Sequence, residues 1–265
     1  MGKLKIFCIT NQEKLYLEKL NLDLVGVGKE SFSKKYIQCL EGENIQHKEQ
    51  YYSELTFHYW FWKNQLRNYD ENSWIGFCQK RRFWIKEKKK IENLEDLKNN
   101  LLINAPSSWD NYEAILCDPI NVGGIKNMKL LKRGWKNIIE DPYILFNKNK
   151  RNIKLHFDVH HGYKNLHKAI EVMNDNDRDD FKNFVNIKNT FNPHIMFISK
   201  PKIINKWFES LFSWLFECEK VLGFDKLKGY DETRLYAYLA ERYLSFWFKK
   251  YTKSLDWPWG FFEDK

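Results

Sequence analysis

The stretch Trp74–Phe83, with the sequence WIGFCQKRRF, indicates the fold most directly because its character changes halfway along. Trp74–Cys78 is a short apolar run of the kind that forms a buried strand, and the cations Lys80, Arg81 and Arg82 follow it at once. A second apolar run, Lys5–Thr10 (KIFCIT), predicts an earlier buried strand near the start of the chain. Together these runs favour an α/β fold.

Helical spacing appears between and after these strands. The segment 51–66 carries apolar residues at intervals of four, three and four, which predicts a helix. The second half is more helical. There Asp177 is predicted to cap one helix, Pro201 to begin a long helix that ends near Gly223, and Asp231 to cap the last long helix. A short strand is expected at 195–198.

Composition limits the class of protein. The chain has 265 residues, 43% of them apolar and 17% aromatic, whereas Gly (12) and Pro (6) are too scarce for a turn-rich β-sandwich. No linker rich in Pro, Gly or Ser divides it, so a single α/β domain over residues 1–265 is expected. The five cysteines form no C-x-x-C pair, and neither a signal peptide nor a long apolar run is present. We therefore expect a cytoplasmic location.

The charge balance predicts a polyanionic partner. Lys and Arg number 44 against 35 Asp and Glu, a formal net charge of +9. Such a chain suits nucleic acid, an anionic membrane surface or a phosphorylated substrate. No zinc-finger or RNP motif occurs, which weakens the nucleic-acid interpretation. The C-terminal aromatic residues fit either a tail packed on the core or a membrane interface; they are Trp257, Trp259, Phe261 and Phe262.

Two arginines follow the predicted strand at 74–78. Ligands of open α/β sheets bind beyond the carboxyl ends of the strands, where Arg81 and Arg82 would lie. Guanidinium groups form bidentate hydrogen bonds with phosphate oxygens, so this pair would suit a diphosphate. The alternative is a solvated basic loop.

The sequence DVHHG holds the densest group of imidazole and carboxylate side chains. Asp158, His160 and His161 could bind metal, act as a general base or bind a substrate hydroxyl. If the segment were a strand, adjacent histidines would point to opposite faces, which disfavours a shared metal ion. A structural role is the alternative.

Two acids stand where a loop enters the last predicted helix. Asp231 and Glu232 fit helix capping, and they also fit a carboxylate base held at a helix start. Arg234 and Glu241 lie seven residues apart on one helical face, where they could form an ion pair or line a pocket.

Taken in order, several stretches resemble a bacterial capsular-polysaccharide glycosyltransferase family, once described as a domain of unknown function, that includes galactofuranosyltransferases. The strongest is YYSELTFHYWFWKN, which resembles Y-x-E-L-T-x-x-Y-W-x-W-K-N. Two departures stand out: Gln79-Lys80 replaces a usual His-Tyr, and Ile195 replaces a usual Asn. The matching stretches are Tyr51–Asn64, Trp74–Phe83, His160–His161 with Leu166, His194–Ile198, Trp214–Leu215 and Gly229–Leu244.

The resemblance implies a GT-A-type fold: a Rossmann-like nucleotide-sugar half with a central mixed sheet, and a helical C-terminal part. It implies transfer of a sugar, with galactofuranose the leading candidate, from a UDP-sugar to a hydroxyl of a glycan or lipid-linked glycan. The setting would be synthesis of capsule or lipopolysaccharide at the inner face of a membrane, with peripheral membrane contact. Inversion by a carboxylate base is the expected mechanism.

The resemblance also assigns roles to residues. The donor would contact Thr10, Glu54, Arg81, Arg82 and His194. The acceptor would contact His160, His161 and Arg234. The base is chosen by position and not by the family signature: many inverting GT-A enzymes carry an acidic pair near the start of a late helix, which favours Asp231, with Glu232 second and Asp158 third. No D-x-D motif follows the strand at 74–78, so we expect Arg81 and Arg82 to offset the diphosphate charge, while a divalent metal such as Mn²⁺ stays open.

Two other classes of function compete with this one. A non-catalytic, basic nucleic-acid-binding protein would bind single strands through its cations and aromatic residues. An inactive, lectin-like relative would bind glycan without binding nucleotide.

Overall fold

A computed structural model describes residues 3–264. Within them, the chain forms two compact units, each assembled from separated stretches. Unit 1 comprises residues 3–118, 194–209 and 247–264, and unit 2 comprises residues 119–193 and 210–246. The single domain expected from the sequence stays a prediction.

Unit 1 is built on a mixed sheet, and within residues 3–264 nine strands belong to it. Seven strands lie in the order β10-β6-β9-β4-β1-β2-β3, and β5 pairs with both β4 and β11. The strands are β1 (Leu4–Thr10), β2 (Asp23–Gly26), β3 (Ile37–Gln38), β4 (Trp74–Gln79), β5 (Arg82–Trp84), β6 (Ala114–Cys117), β9 (Phe197–Ser199), β10 (Ser254–Trp257) and β11 (Trp259–Phe261).

The two apolar runs recognised in the sequence are neighbours in this sheet. β1 and β4 are parallel, with Cys8 opposite Cys78, and β2 pairs in parallel on the other side of β1. On the far side of β4, β9 runs antiparallel. The expected strands at 5–10, 74–78 and 195–198 are thus confirmed, the last of them displaced by one to two residues.

Alternation along β1 supplies a core on both faces of the sheet, since successive side chains point to opposite sides. Ile6 and Cys8 pack in one cluster with Trp74 and Trp84. On the other face Phe7 packs against the aromatic rings of Phe57, Phe61 and Phe77 at centroid distances of 5.0–6.0 Å. Burying aromatic side chains of this size is worth about 1.5–3 kcal/mol each.

Three helices lie wholly within unit 1: α1 (Glu49–Tyr52), α2 (Leu55–Asn64) and α3 (Leu94–Asn100). The helix expected over 51–66 is therefore interrupted. The break falls at Ser53, whose φ of 53° is in the left-handed region, and Glu54 follows as the N-cap residue of α2. α3 lies in a segment from which the sequence predicts only a polar surface.

Unit 2 is mostly helical, with one two-stranded sheet of β7 and β8. α9 and α11 each cross the boundary between the units. The elements are β7 (Ile120–Asn121), α4 (Asn127–Arg133), α5 (Trp135–Glu140), α6 (Ile153–His161), α7 (Asn165–Glu171), α8 (Asp175–Ile187), β8 (Thr190–Phe191), α9 (Pro201–Leu222), α10 (Tyr230–Thr233) and α11 (Leu235–Tyr251).

Several expectations about helix ends are corrected here. α9 begins at Pro201 and is followed by Gly223 with a φ of 59°, as predicted. The cap of α8 is Asn174 rather than Asp177, because the Asn174 side chain accepts from the Asp177 backbone N–H. Asp231 is not an N-cap: it is the second residue of the short helix α10, which Gly229 precedes.

The C-terminal aromatic segment belongs to the sheet. β10 pairs in parallel with β6, and β11 pairs antiparallel with β5. The indoles of Trp257 and Trp259 donate to the backbone oxygens of Ile85 and Asp118 at 2.9 and 3.4 Å. The sequence allowed either a tail packed on the core or a membrane interface, and these two tryptophans belong to a packed segment. No helix among residues 3–264 is long and apolar enough to cross a membrane.

Candidate functional site

Polar side chains gather in unit 1 where β1 and β4 end. β1 ends at Thr10 and β4 at Gln79, and the register places Ile9 opposite Gln79. Because the two strands are parallel, the residues that follow them emerge at one edge of the sheet. Open α/β sheets bind ligands at this edge.

Gln79 connects three of the predicted donor-binding residues. Its Nε2 donates to the Glu54 carboxylate and, at 2.8 Å, to the backbone oxygen of His194. Its Oε1 accepts from the Arg82 guanidinium at 3.1 Å. The structure therefore brings Glu54, Arg82 and His194 together through a residue to which the sequence assigns no role.

Lys80 reaches the loop after β1. Its ammonium donates to Asn11 Oδ1 at 2.6 Å and to Gln12 Oε1 at 3.3 Å. Thr10 closes the same loop, since its hydroxyl donates to the Gln12 backbone oxygen at 2.5 Å and accepts from the Gln12 N–H at 3.1 Å. Thr10 is buried, and its two hydrogen bonds with Gln12 hold the start of this loop in place.

Arg81 and Arg82 have different partners although they are adjacent. Arg81 donates to the Glu263 carboxylate at 3.2 Å, and both side chains are partly exposed. Arg82 begins β5 and contacts Gln79 instead. Arg81 thus reaches the C-terminal segment, and Arg82 reaches the last residue of β4.

His194 stands on a strained piece of backbone. Its φ is 75° and that of Ile195 is 53°, which for residues other than glycine is uncommon and costs on the order of 1–3 kcal/mol each. The His194 ring packs edge-on against Trp259 at a centroid distance of 4.6 Å. The carbonyl of this strained residue is the one that accepts from Gln79.

In unit 2 the histidines predicted from sequence lie on a helix rather than a strand. α6 spans Ile153–His161, so His156 and His160 are one turn apart, and their rings stack at 4.2 Å. His160 Nδ1 donates to the His156 carbonyl at 2.8 Å. That leaves His160 Nε2 to accept from the Lys129 ammonium at 2.5 Å.

His161 faces the residues of the last two helices. Its Nδ1 donates to the Asp231 backbone oxygen at 2.9 Å, and its ring stacks on Tyr238 at 3.7 Å. His161, a predicted acceptor contact, therefore hydrogen-bonds directly to the backbone of Asp231, the first candidate base.

Arg242 is a buried cation at the centre of this cluster, with a side chain only 1% exposed. It pairs with Glu241, donates to His156 Nδ1 at 3.2 Å and lies over the ring of Phe191 at 3.9 Å. Arg234 donates to the Tyr230 hydroxyl at 2.8 Å, and its expected pairing with Glu241 stays a prediction.

The histidines are held neutral. Burial, followed by the positive charge of Arg242, lowers the pKa of His156 and lowers that of His161 to about 2. Burial also lowers the pKa of His160, to which the charge of Lys129 adds. At neutral pH these imidazoles are hydrogen-bonding groups without charge.

The three candidate bases have different surroundings. Asp231 is half-exposed, and its Oδ2 accepts from Arg133 at 2.7 Å. Asp158 is buried: its carboxylate accepts from Asn137 at 2.7 Å and from the Lys164 N–H at 3.0 Å, and burial raises its pKa. Glu232 is half-buried next to Asp231 on α10.

The described part of the chain contains no set of side chains arranged to bind a metal ion. Among residues 3–264 no group of three or more His, Cys, Asp or Glu side chains is arranged to hold a metal ion. The α6 histidines show why, since their nitrogens already contact Lys129, Arg242 and backbone oxygens. The cations Lys80, Arg81 and Arg82 lie at the sheet edge instead.

The chain resembles known proteins in sequence and in fold. The sequence profile of a family described as Domain of unknown function (DUF4422) matches residues 5–253. Among solved structures, the chain is similar to the apo structure of the bifunctional glycosyltransferase WbbM, with a TM-score of 0.71 at 18% sequence identity. The match covers 99% of this chain and 46% of that chain. No curated protein matches the chain. The likeness confirms the GT-A-like fold expected from the sequence.

Proposed function

We propose that this chain, which belongs to the DUF4422 family, transfers a sugar from a nucleotide-sugar donor to a hydroxyl of a glycan acceptor. The observation that carries the proposal is the polar and cationic edge at the carboxyl ends of β1 and β4, in a chain with a GT-A-like fold. That edge is where open α/β sheets bind nucleotides. WbbM, the structural neighbour, bears the name of a bifunctional glycosyltransferase.

UDP-galactofuranose is the donor we propose, and synthesis of capsule or lipopolysaccharide is the setting. Both rest on the resemblance of the Tyr51–Asn64 and Trp74–Phe83 stretches to galactofuranosyltransferases. A glycan or lipid-linked glycan is the proposed acceptor, which would fit a basic, aromatic-rich chain near an anionic membrane.

The donor would be held by unit 1 through residues of two kinds. Cations would offset the negative charge of the diphosphate as the sugar leaves, a role we assign to Arg81 and Arg82 with Lys80 beside them. Thr10 fixes the loop that the nucleotide would approach, and Glu54 and the His194 region offer acceptors for donor hydroxyls.

The proposed transfer also needs a base. A carboxylate would take the proton of the acceptor hydroxyl while the hydroxyl oxygen bonds to the anomeric carbon. The candidates for this base are, in order, Asp231, Glu232 and Asp158. The bond from that carbon to the UDP oxygen breaks at the same time, and UDP carries the electron pair away. Arg133 would orient Asp231 through their 2.7 Å contact.

His160, His161 and Arg234 are the proposed acceptor contacts. Both imidazoles are neutral, so an acceptor that packs against their rings would not have to desolvate an imidazolium charge. Tyr238 is partly exposed, stacks on His161 and lies 5.9 Å from the Arg234 guanidinium, so it would offer an aromatic ring beside a cation to the acceptor sugar.

Thermal unfolding with nucleotides tests the donor site. UDP at about 100 times its Kd should raise the melting temperature by roughly 5–10 °C, whereas ADP and GDP should raise it less. Each nucleotide is measured with Mn²⁺ and with EDTA. A rise in EDTA supports cations in place of metal, and a rise with Mn²⁺ alone overturns that role while keeping the donor site.

Matched variants locate the binding. Arg82→Ala and Lys80→Ala should abolish most of the UDP-dependent rise, while Arg67→Ala, an exposed arginine elsewhere in unit 1, should leave it intact. Release of UDP from UDP-galactofuranose in the presence of a glycan acceptor then tests the transfer. A folded protein that responds to no nucleotide but is retained by single-stranded nucleic acid, or by glycan alone, would refute the proposed function.

A further inference from the structure

One surface of unit 2 exposes more apolar side chains than folding requires. Met128, Leu131, Trp135 and Ile139, on α4 and α5, are 64, 55, 52 and 71% exposed. They recur at intervals of three, four and four residues, which places them along one side of a helical segment. We call these four residues, with the cations between them, the α4–α5 surface.

The same segment already has a separate buried side. Leu130 is fully buried in a small core with Ile125 and Val159, and Ile138 packs against it. A helix that only covered a core would be polar on its other side. α4 and α5 are apolar on both sides, so the exposed side calls for a further partner.

Positive charge is concentrated in this segment. Residues 126–136 contain five Lys and Arg residues and no Asp or Glu. Arg133 pairs with Asp231, and Lys129 contacts His160. Among residues 3–264, no carboxylate lies within salt-bridge distance of Lys132 or Lys136, and the Lys136 ammonium lies over the rings of Trp135 and Tyr163 at 5.6 and 5.2 Å.

The apolar exposure continues beyond α5 in sequence. Tyr143 and Phe146, in the turn that packs against α5, are 68 and 84% exposed. In the described part of the chain, six of the fourteen exposed large apolar residues fall within 128–146. The exposure is therefore a local property of this segment and not a general feature of the surface.

We propose that the α4–α5 surface docks on the anionic headgroups of a lipid bilayer, with its apolar side chains entering the interface. Lys and Arg next to Trp, Leu and Ile on one short helical surface are the combination that anionic membranes retain. Nucleic acid would use the cations but would gain nothing from Met128, Leu131 and Ile139. A second copy would bring like charges together across a symmetric contact.

This proposal is independent of the proposed function, because it concerns binding and not transfer. It also differs from the membrane contact that the C-terminal tryptophans suggest in the sequence. Those indoles are hydrogen-bonded within the sheet of unit 1, whereas Trp135 presents its ring to solvent.

Vesicle flotation of the full chain provides the test. The protein should float with vesicles of phosphatidylcholine and phosphatidylglycerol, should stay behind with phosphatidylcholine alone, and should be released by salt. Lys132→Glu/Lys136→Glu should weaken binding by at least about 25-fold, since each of the two basic residues near an anionic surface adds roughly a fivefold gain. Lys202→Glu/Lys206→Glu, exposed and equally spaced on α9, is the matched control.

A second pair of variants tests the apolar side. Leu131→Ser/Ile139→Ser should lose binding even at low salt, while Leu15→Ser/Ile187→Ser, which alters equally exposed residues elsewhere, should retain it. All four side chains are more than half exposed, so the variants should fold, which circular dichroism checks. Equal binding by variants and controls would overturn the proposal. So would wild-type protein that ignores vesicles yet forms a dimer that Leu131→Ser/Ile139→Ser dissociates.

Discussion

His58 is a buried imidazole whose environment predicts a measurable dependence of stability on pH. It lies on α2 in the core of unit 1, with its ring 4.5 Å from that of Phe77 and 5.5 Å from that of Phe208. Both ring nitrogens are buried, and neither has a hydrogen-bond partner among the described residues. An apolar cage of this kind opposes protonation, and burial lowers the pKa of His58 to about 3.

The sign and size follow from linkage. The unfolded chain binds a proton at His58 below pH 6.5, whereas the folded chain does so only below about pH 3. Between these values the unfolded state holds more protons, so the free energy of unfolding falls as the pH falls. Each pH unit costs about 1.4 kcal/mol, and lowering the pH from 7 to 5 should remove about 2 kcal/mol through this one residue.

Replacement by leucine isolates the effect. His58→Leu keeps a similar volume and removes two buried nitrogens that lack partners, so it should raise the free energy of unfolding by about 1 kcal/mol at pH 7. The gain should grow to about 3 kcal/mol at pH 5, since wild type loses its 2 kcal/mol there and the variant does not.

Urea unfolding of both proteins between pH 5 and pH 8 measures the difference. His47→Leu makes the same replacement at an exposed position and is the control. Subtracting the curves cancels the contribution of the α6 histidines, which all variants retain. A His58→Leu curve parallel to that of wild type would show that His58 is not protonated on unfolding in this range, and the reasoning from burial would be wrong.

Three further predictions follow from single contacts. A Cβ at Gly76 on β4 would lie 2.7 Å from Ile198 Cγ1, so Gly76→Ala should lower the free energy of unfolding by about 1–3 kcal/mol in urea, while Gly124→Ala, with no atom within 4 Å, should not. Burial raises the pKa of Asp158 above 3.8, so the folded state holds this proton to a higher pH than the unfolded state does. The free energy of unfolding of wild type, relative to that of Asp158→Asn, should therefore fall as the pH rises above 3.8. A difference that stays constant with pH would contradict this. If Asp231 is the base, Asp231→Asn should lower kcat by about 10²–10⁴ with unchanged melting temperature, and full activity would pass the role to Glu232, tested by Glu232→Gln.

The local sequence predicts those strands and helices whose bounds depend on their own residues alone. The apolar runs at 5–10 and 74–78 predicted β1 and β4, since fully buried parallel strands need continuous apolar residues. Pro201 and Gly223 bounded α9 for the same kind of local reason, a fixed φ at the start and a positive φ after the end.

Distant pairing could not be predicted in the same way. β10 and β11 pair with β6 and β5, more than 130 residues earlier, and nothing in SLDWPWGFF specifies those partners. The helix α6 buries Ile153, Phe157 and His161, which are spaced by four, but the polar residues and histidines around them make this helical pattern weak in the sequence.

The candidate site shows the same limit. Glu54, Arg82 and His194 were predicted one by one, but their common partner Gln79 was noted only as a departure from the family pattern. Arg242 was missed because its importance comes from burial among α6 and β8 residues, which no local pattern reports.

That departure at Gln79 has a physical consequence for the sheet edge. Gln79 donates twice, to Glu54 and to the His194 carbonyl, and accepts once, from Arg82. Its orientation is fixed, because a carboxylate and a carbonyl only accept while a guanidinium only donates. A histidine at this position has two ring nitrogens and could not make all three contacts at once. Returning the usual residue with Gln79→His should therefore release Arg82 or Glu54, and it should weaken UDP binding in the melting assay as Arg82→Ala does. Unchanged UDP binding would show that the Gln79 contacts do not organise the donor site.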